Sequence, residues 1–193
     1  MENSLKRDAL YLYAQKLMDF GIEVTAHAHV EIGTKWAREP KVIALTLLCR
    51  TLGNMKGAIL LMQQRLLVEA QVLTRCCTEN LICIGAIRQT GEVFVDELLR
   101  ADAASKKRQA GLVIETYAEN EERADTVVRL SEVIKAIEAS HPKAKSLNTK
   151  ELSKKNPVGL SYLMFSVLSE QAVHVSVRSL GRHLGRDLVS VQE

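Results

Sequence analysis

The stretch Leu66–Arg88, LLVEAQVLTRCCTENLICIGAIR, is the segment around which we expect the fold to be built. It has the length of a helix, no Pro, and apolar residues on every side, which is typical of a helix buried in a core or spanning a membrane. Charged residues interrupt it too often for a span, so we predict burial. Arg75 and Glu79 lie one turn apart in its middle. Because charges on a buried helix need partners, this pair is either a structural clamp or part of a functional site.

The composition of the 193-residue chain favours helices. Hydrophobic residues make up 47% of it but aromatic residues only 4%, so the core must consist mostly of Leu, Val, Ile and Ala. We predict an all-α, single-domain bundle of roughly five to seven helices over residues 1–193. Large apolar helices with few aromatic residues complete their burial by pairing, so we also expect a homodimer.

Charge and cysteine content limit the classes of partner and compartment. A net charge of +3 and a pI near 8.7 permit an acidic partner without requiring one. The chain begins without the apolar run of a signal peptide, and no segment has the uncharged apolar length of a membrane span. The cysteine spacings suit neither a zinc site nor a disulfide within one helix. We therefore predict a cytoplasmic protein with reduced cysteines in its core, no metal, no cofactor and no membrane contact. The cysteines are Cys49, Cys76, Cys77 and Cys83.

In the first half of the chain, glycine and proline mark the predicted ends of helices. We predict that helix 1 runs from after Ser4 to about Phe20, with Gly21 as its stop. Apolar and polar residues then alternate along residues 22–38, an uncertain connector that is a continued helix, an extended segment, or an edge strand pairing across a dimer. Glu39–Pro40 fits the start of helix 2, which runs to about Gln63. Gln64 and Arg65 then form a corner or continue the helix, and the glycines of helix 2 are places for a kink or a stop. The kink positions are Gly53–Asn54 and Gly57.

The second half of the chain divides in the same way. Thr90–Gly91 ends the central helix, and the next helix begins at Glu92. Another spans about Glu121 to Ala139 and closes at His141–Pro142. The last begins at Pro157 and reaches about Leu184.

A basic connector, residues 141–156, joins the last two helices. It carries five lysines against one Glu. It is either a solvated loop with a short turn or a surface that binds RNA or another polyanion. The lysines are Lys143, Lys145, Lys150, Lys154 and Lys155.

Candidate chemistry lies on the last helix. Its apolar stripe (Leu160, Leu163 and Val167) predicts the side that faces the core. Successive i,i+4 steps along that side reach Glu170, His174 and Arg178. We therefore expect His174 to meet Arg75 and Glu79 across a dry interior.

Two functions fit such a set of residues. In a metal-independent ribonuclease, His174 acts as acid and base, Arg75 and Arg178 bind phosphate, and Glu79 orients the imidazole. Ser169 and Glu170 then complete the binding residues. The alternative is a non-catalytic interaction module in which a buried Arg-Glu-His network fixes the register of the helices.

Two patterns resemble known families. The pair Arg178 and His183 resembles the R-x(4–6)-H motif of HEPN ribonucleases, which are helical, dimeric and metal-independent. The phrase L-x-R-x3-E at Leu73, followed by Y-x5-L-S-x4-H-x-S at Tyr162, resembles a family of bacterial helical proteins of unknown function. That resemblance covers about Ala44 to Leu184 and implies a helical fold. It marks Arg75, Glu79 and His174 without implying an established activity.

Overall fold

The computed structural model describes residues 2–31, 33–34, 38–154 and 160–174. In these ranges all regular secondary structure is helical, which confirms the predicted all-α class and the expected number of helices. A 3₁₀ turn, Glu121–Arg123, precedes the fifth helix, and a π-helical turn, Ser169–Val173, follows the last. The α-helices are α1 (Glu2–His27), α2 (Pro40–Gln63), α3 (Leu67–Thr90), α4 (Glu92–Tyr117), α5 (Ala124–Ser140), α6 (Thr149–Lys154) and α7 (Ser161–Leu168).

The chain separates into two compact units. The first consists of Met1–Gln89 with Thr149–Glu193 and contains α1, α2, α3, α6 and α7. The second is Thr90–Asn148, in which α4 and α5 pack against each other. That residues 1–193 form one domain stays a prediction.

The first helix is longer than predicted. Gly21 does not end α1, which continues to His27. Gly21 instead allows α2 to approach, because a Cβ atom there would lie 2.5 Å from Leu52 Cδ2. In the described part of residues 22–38 the alternating segment is therefore helical as far as His27, and no strand follows.

Helix α2 begins and ends where the sequence predicts. Pro40 occupies its first turn, and a corner at Gln64 and Arg65 follows its last residue, with Arg65 in a left-handed conformation (φ 63°). The helix does not stop at either glycine, since it runs unbroken through both. At Gly57 the missing side chain makes room for α3, because a Cβ atom would lie 2.7 Å from Leu73 Cδ1.

Helix α2 also differs from the expectation that no segment resembles a membrane span. Among the described helices, it alone has the length and composition to cross a membrane, with a mean hydropathy of 1.2 over an 18-residue window. Core helices of soluble proteins meet the same criterion, so the finding is weak support for insertion. Cytoplasmic localisation stays a prediction.

Burial on α3 is concentrated in its second half. Asn80, Ile82 and the segment Gly85–Ile87 are buried, whereas Leu66 just before the helix and Leu67 at its start are exposed. Leu81 and the last three residues of the helix are also exposed, so the prediction of a helix buried on all sides is wrong. The neighbouring helix α2 contacts the buried half through Thr51, whose hydroxyl accepts a hydrogen bond from Asn80 Nδ2 at 3.1 Å.

Two helix boundaries of the second unit agree with the prediction. Gly91, with φ 51°, separates α3 from α4, and α5 closes at His141. The side chains of Lys107 and Glu138 form an ion pair between α4 and α5. Beside this pair lies a cavity of about 320 Å³ lined mainly by Ile137, Glu138 and His141.

Candidate functional site

Arg75 connects the middle of α3 to α7. Its Nε donates a hydrogen bond to Ser169 Oγ at 3.0 Å, and its Nη1 lies 3.1 Å from Glu79 Oε2. The guanidinium also stacks on Phe165, with Cζ 4.5 Å from the centre of the ring. We call Arg75, Glu79, Phe165 and Ser169 the Arg75 cluster. The predicted meeting of α3 with the last helix is thus present, and it runs through Ser169.

Ser169 is the buried centre of this cluster. Its hydroxyl accepts the bond from Arg75 and donates one to the Phe165 carbonyl oxygen at 2.7 Å. Its own carbonyl oxygen accepts the backbone N–H of His174 at 3.0 Å, which closes the π-helical turn. Ser169 therefore forms hydrogen bonds with Arg75, with the last turn of α7 and with the end of the π-helical turn.

The two charges of the cluster differ in exposure. The Arg75 side chain is 22% exposed, whereas that of Glu79 is 42% exposed. The ion pair is an i,i+4 pair within α3, so it supports that helix without linking it to another. The contacts of Arg75 with Ser169 and Phe165 make the link between helices.

The core-facing side of α7 is not the one that the sequence predicts. Leu160 and Leu163 are exposed (74% and 59%), whereas Ser161, Leu168 and Ser169 are buried. Apolar character alone selected the wrong side, because the hydroxyl of Ser169 is satisfied by hydrogen bonds and can be buried. Two of the three residues of the predicted stripe are therefore exposed, and the third, Val167, is half-buried.

His174 lies at the end of this segment. It follows the π-helical turn in an extended conformation, and its side chain is exposed, as is that of Glu170. The expectation that His174 faces a dry interior is therefore wrong, because the π-helical turn interrupts the α-helical steps that the prediction assumed. A catalytic role for His174 stays a prediction. Arg178 and His183 lie outside the described residues.

The lysines of the basic connector divide between the two units. Lys143 and Lys145 belong to the second unit, Lys150 and Lys154 to the first, and all four are exposed. Lys154 pairs with Glu151 at 2.8 Å within α6, where the sequence predicts only a loop with a short turn. Lys155 lies outside the described residues.

Two thiols on α3 have raised pKa values. Desolvation by burial raises the pKa of Cys77 to about 11, and the neighbouring Cys76 adds to the effect. Burial also raises the pKa of Cys83 to about 11, and Glu79 adds to it, while Arg50 opposes it. All four cysteines are unbridged, but Cys49 is exposed, so its predicted place in the core is wrong.

The sequence reasoning missed Phe165. Phe165 lies four residues before Ser169, so the two share one side of α7, and its ring stacks near that of Tyr162 at 6.2 Å between centres. An aromatic residue one turn before a motif serine is the signal that would have pointed to an arginine partner.

Residues 41–189 match the model of a family of unknown function, DUF5677. The chain belongs to this family. The match confirms the resemblance that the Arg75 and Ser169 motifs indicate, and it gives no activity. Helix α1 lies outside the matched residues. No curated protein and no solved structure matches the chain, and no comparison supports the resemblance to HEPN ribonucleases.

The two sequence phrases meet in the structure. The first motif supplies Arg75 and Glu79, and the second supplies Ser169 and, through the π-helical turn, His174. The two phrases, 94 residues apart at Arg75 and Ser169, are joined by one hydrogen bond. The two phrases therefore lie where α3 contacts the residue that follows α7.

Proposed function

We propose that this chain is a non-catalytic helical interaction module in which the Arg75 cluster holds α7 against α3. The observation that carries the proposal is the use of Arg75 within its own chain. Its Nε binds Ser169, its Nη1 binds Glu79, and one face of its guanidinium lies on Phe165. An arginine that recognises phosphate presents its fork of donors to the ligand, and here two of those donors are engaged internally.

The energies of these contacts support a structural role. A hydrogen bond to a charged group contributes about 1.5–3 kcal/mol, and a cation–π contact about 0.5–2 kcal/mol. The exposed i,i+4 ion pair with Glu79 contributes only about 0.3–0.5 kcal/mol. The contacts between α3 and α7 therefore outweigh the contact within α3.

An interaction role is supported by the apolar surface of the first unit. Large apolar side chains are exposed on α2 and around α7, in addition to those on α1. Exposed large apolar side chains supply the kind of surface through which proteins bind partners. On α2 and near α7 these residues are Leu60, Met62, Leu160, Leu163 and Met164.

The test combines an activity assay with unfolding. Purified protein is incubated with labelled RNA, with and without EDTA, and Arg75→Ala is unfolded in urea beside Arg88→Ala, an exposed arginine on the same helix. We expect no cleavage from the wild type, a clear loss of stability for Arg75→Ala and little change for Arg88→Ala. Equal stability of the two variants would contradict the proposed role of the Arg75 cluster.

A metal-independent ribonuclease in phage defence or a toxin system is the second candidate. The observation that favours it is the exposed His174 directly after a π-helical turn, since such turns are frequent at functional sites. In this candidate His174 is the acid and base, Arg75 and Arg178 contact phosphate, and the connector lysines attract RNA in the cytoplasm. Cleavage that survives EDTA but is lost in His174→Ala would establish it and overturn the interaction module.

A further inference from the structure

Helix α1 carries an exposed apolar stripe with a regular spacing. Its five large side chains recur at intervals of three and four residues and are between 40% and 70% exposed. Over 14 residues the stripe extends about 21 Å along the helix. This spacing has a period of 3.5 residues, which is the repeat of the apolar residues along the seam of a left-handed coiled coil. The α1 stripe consists of Leu10, Tyr13, Leu17, Phe20 and Val24.

A second row of residues on α1, with the same spacing, packs against a helix of the same chain. Met18 and Gly21 are buried, and Ala14 and Thr25 on the same side are partly buried. This side is where α2 packs, as the approach of Leu52 to Gly21 shows. The α1 stripe is offset from it by one residue, or about 100° around the helix. The side of α1 with Met18 and Gly21 thus packs against α2. The α1 stripe has the same spacing and could pack against a second helix in the same way.

We propose that the α1 stripe pairs with the α1 stripe of a second copy of this chain, in antiparallel orientation. This proposal rests on the proposed interaction function and names its partner. In the heptad, Leu10, Leu17 and Val24 take one seam position, and Tyr13 and Phe20 take the other. In an antiparallel pair, a residue at the first seam position of one helix lies opposite a residue at the second seam position of the other. Each aromatic ring therefore meets an aliphatic side chain. Because the two stripes are identical, the interface is closed by a two-fold axis.

Charge complementarity selects this orientation and this occupant. Lys16 and Glu23 are exposed and flank the α1 stripe on the same edge, one heptad apart. In an antiparallel pair that edge faces the same edge of the second helix, so Lys16 of each copy lies near Glu23 of the other. In a parallel pair Lys16 and Glu23 would face the small residues Gly21 and Ala28 instead. Two favourable charge pairs thus form only in the antiparallel dimer of identical chains.

The test uses the full chain in analytical ultracentrifugation over a range of concentrations. We expect a dimer for the wild type. In Leu17→Glu the dissociation constant should rise by more than about 100-fold, since symmetry places the buried charge twice in each interface. Leu12→Glu is the matched control, because Leu12 is an exposed leucine of the same helix that lies outside the repeat. It should leave the dimer unchanged, and circular dichroism should show equal helicity in both variants.

Charge reversal tests the orientation. Lys16→Glu and Glu23→Lys should each weaken the dimer, and the two changes together should restore it, because the swapped pair is again complementary. Failure of the double variant to restore the dimer would overturn antiparallel pairing.

Three further results would overturn the proposal. They are a monomeric wild type, a dimer that survives Leu17→Glu, and binding of vesicles of anionic phospholipid through the same leucine by a monomeric protein. None of them alters the RNA and stability results for Arg75, so failure of this surface is distinguishable from failure of the interaction function. Conversely, RNA cleavage dependent on His174 would overturn the module while leaving the dimer measurement intact.

Discussion

Two surfaces of the first unit use their residues in opposite ways. Where α3 meets α7, the charged residue Arg75 is drawn inward and engaged by Ser169 and Phe165. On α1, the apolar residues of the stripe face outward and are between 40% and 70% exposed. The comparison separates two roles within one unit. We propose that the partly buried charge holds the framework and that the apolar stripe binds a partner.

The largest effect on the framework is expected from Arg75→Ala. Loss of the bond to Ser169 and of the contact with Phe165 should lower the free energy of unfolding by about 2–4 kcal/mol. Urea denaturation measures this loss, with Arg88→Ala changing stability by less than about 1 kcal/mol as a control. Arg75→Lys should recover little, because an ammonium lacks the planar fork and stacking face of arginine. Full recovery by lysine would show that only the charge matters.

A smaller effect is expected from Ser169→Ala. The change leaves Arg75 Nε without its acceptor and removes the bond to the Phe165 carbonyl, which should destabilise the protein by about 1–3 kcal/mol. Ser166→Ala is the matched control, because Ser166 is an exposed serine in the last turn of α7, just before Ser169. Equal unfolding midpoints for the two variants would mean that the buried hydroxyl does not hold α7 on α3.

The packing of α2 on α3 predicts different outcomes at two glycines of one helix. A Cβ atom at Gly53 meets nothing within 4 Å, so Gly53→Ala should stabilise the protein by about 0.5–1 kcal/mol through helix propensity. Gly57→Ala should gain less or lose stability, because Leu73 must move to admit the methyl group. Thermal unfolding of both variants measures the difference. A larger gain at Gly57 would contradict the close approach of α3.

The smallest effects concern the thiols on the packed side of α3. Because burial raises the pKa of Cys77 and Cys83 to about 11, both should alkylate more slowly than the exposed Cys49 at pH 8, as followed by mass spectrometry. In the unfolded chain a thiol has a pKa near 9.0, so the folded state holds these protons more tightly. Their contribution to stability is therefore full below about pH 9 and is lost as the pH rises through about 11. Labelling of Cys77 as fast as that of Cys49 would argue against its burial.

Much of the fold was predictable because local signals set the ends of helices. Pro40, Gly91 and His141 mark boundaries that the structure confirms, since proline, glycine and the loss of apolar periodicity act within a few residues. Gly21 and Gly57 were misjudged for a tertiary reason. Each lies inside a helix at a point where a neighbouring leucine approaches, and a sequence does not reveal which helix will pack there.

The candidate site was predictable only in part. The arginine motif and the serine motif identified two segments that do meet, but apolar periodicity chose the wrong side of α7, as the exposed Leu160 shows. A hydroxyl is buried where partners satisfy it, and those partners come from a distant helix. No sequence pattern indicates the π-helical turn after Leu168, and His174 follows it in an extended conformation instead of continuing the α-helical steps.

A double-mutant cycle between Arg75 and Ser169 tests the central claim most directly. The free energy of unfolding in urea is measured for the wild type, Arg75→Ala, Ser169→Ala and the double variant. If the bond between Nε and Oγ holds α7 on α3, the two losses should fall short of additivity by about 1–2 kcal/mol. Losses that add to within about 0.3 kcal/mol would contradict the account, because the two residues would then stabilise the protein independently.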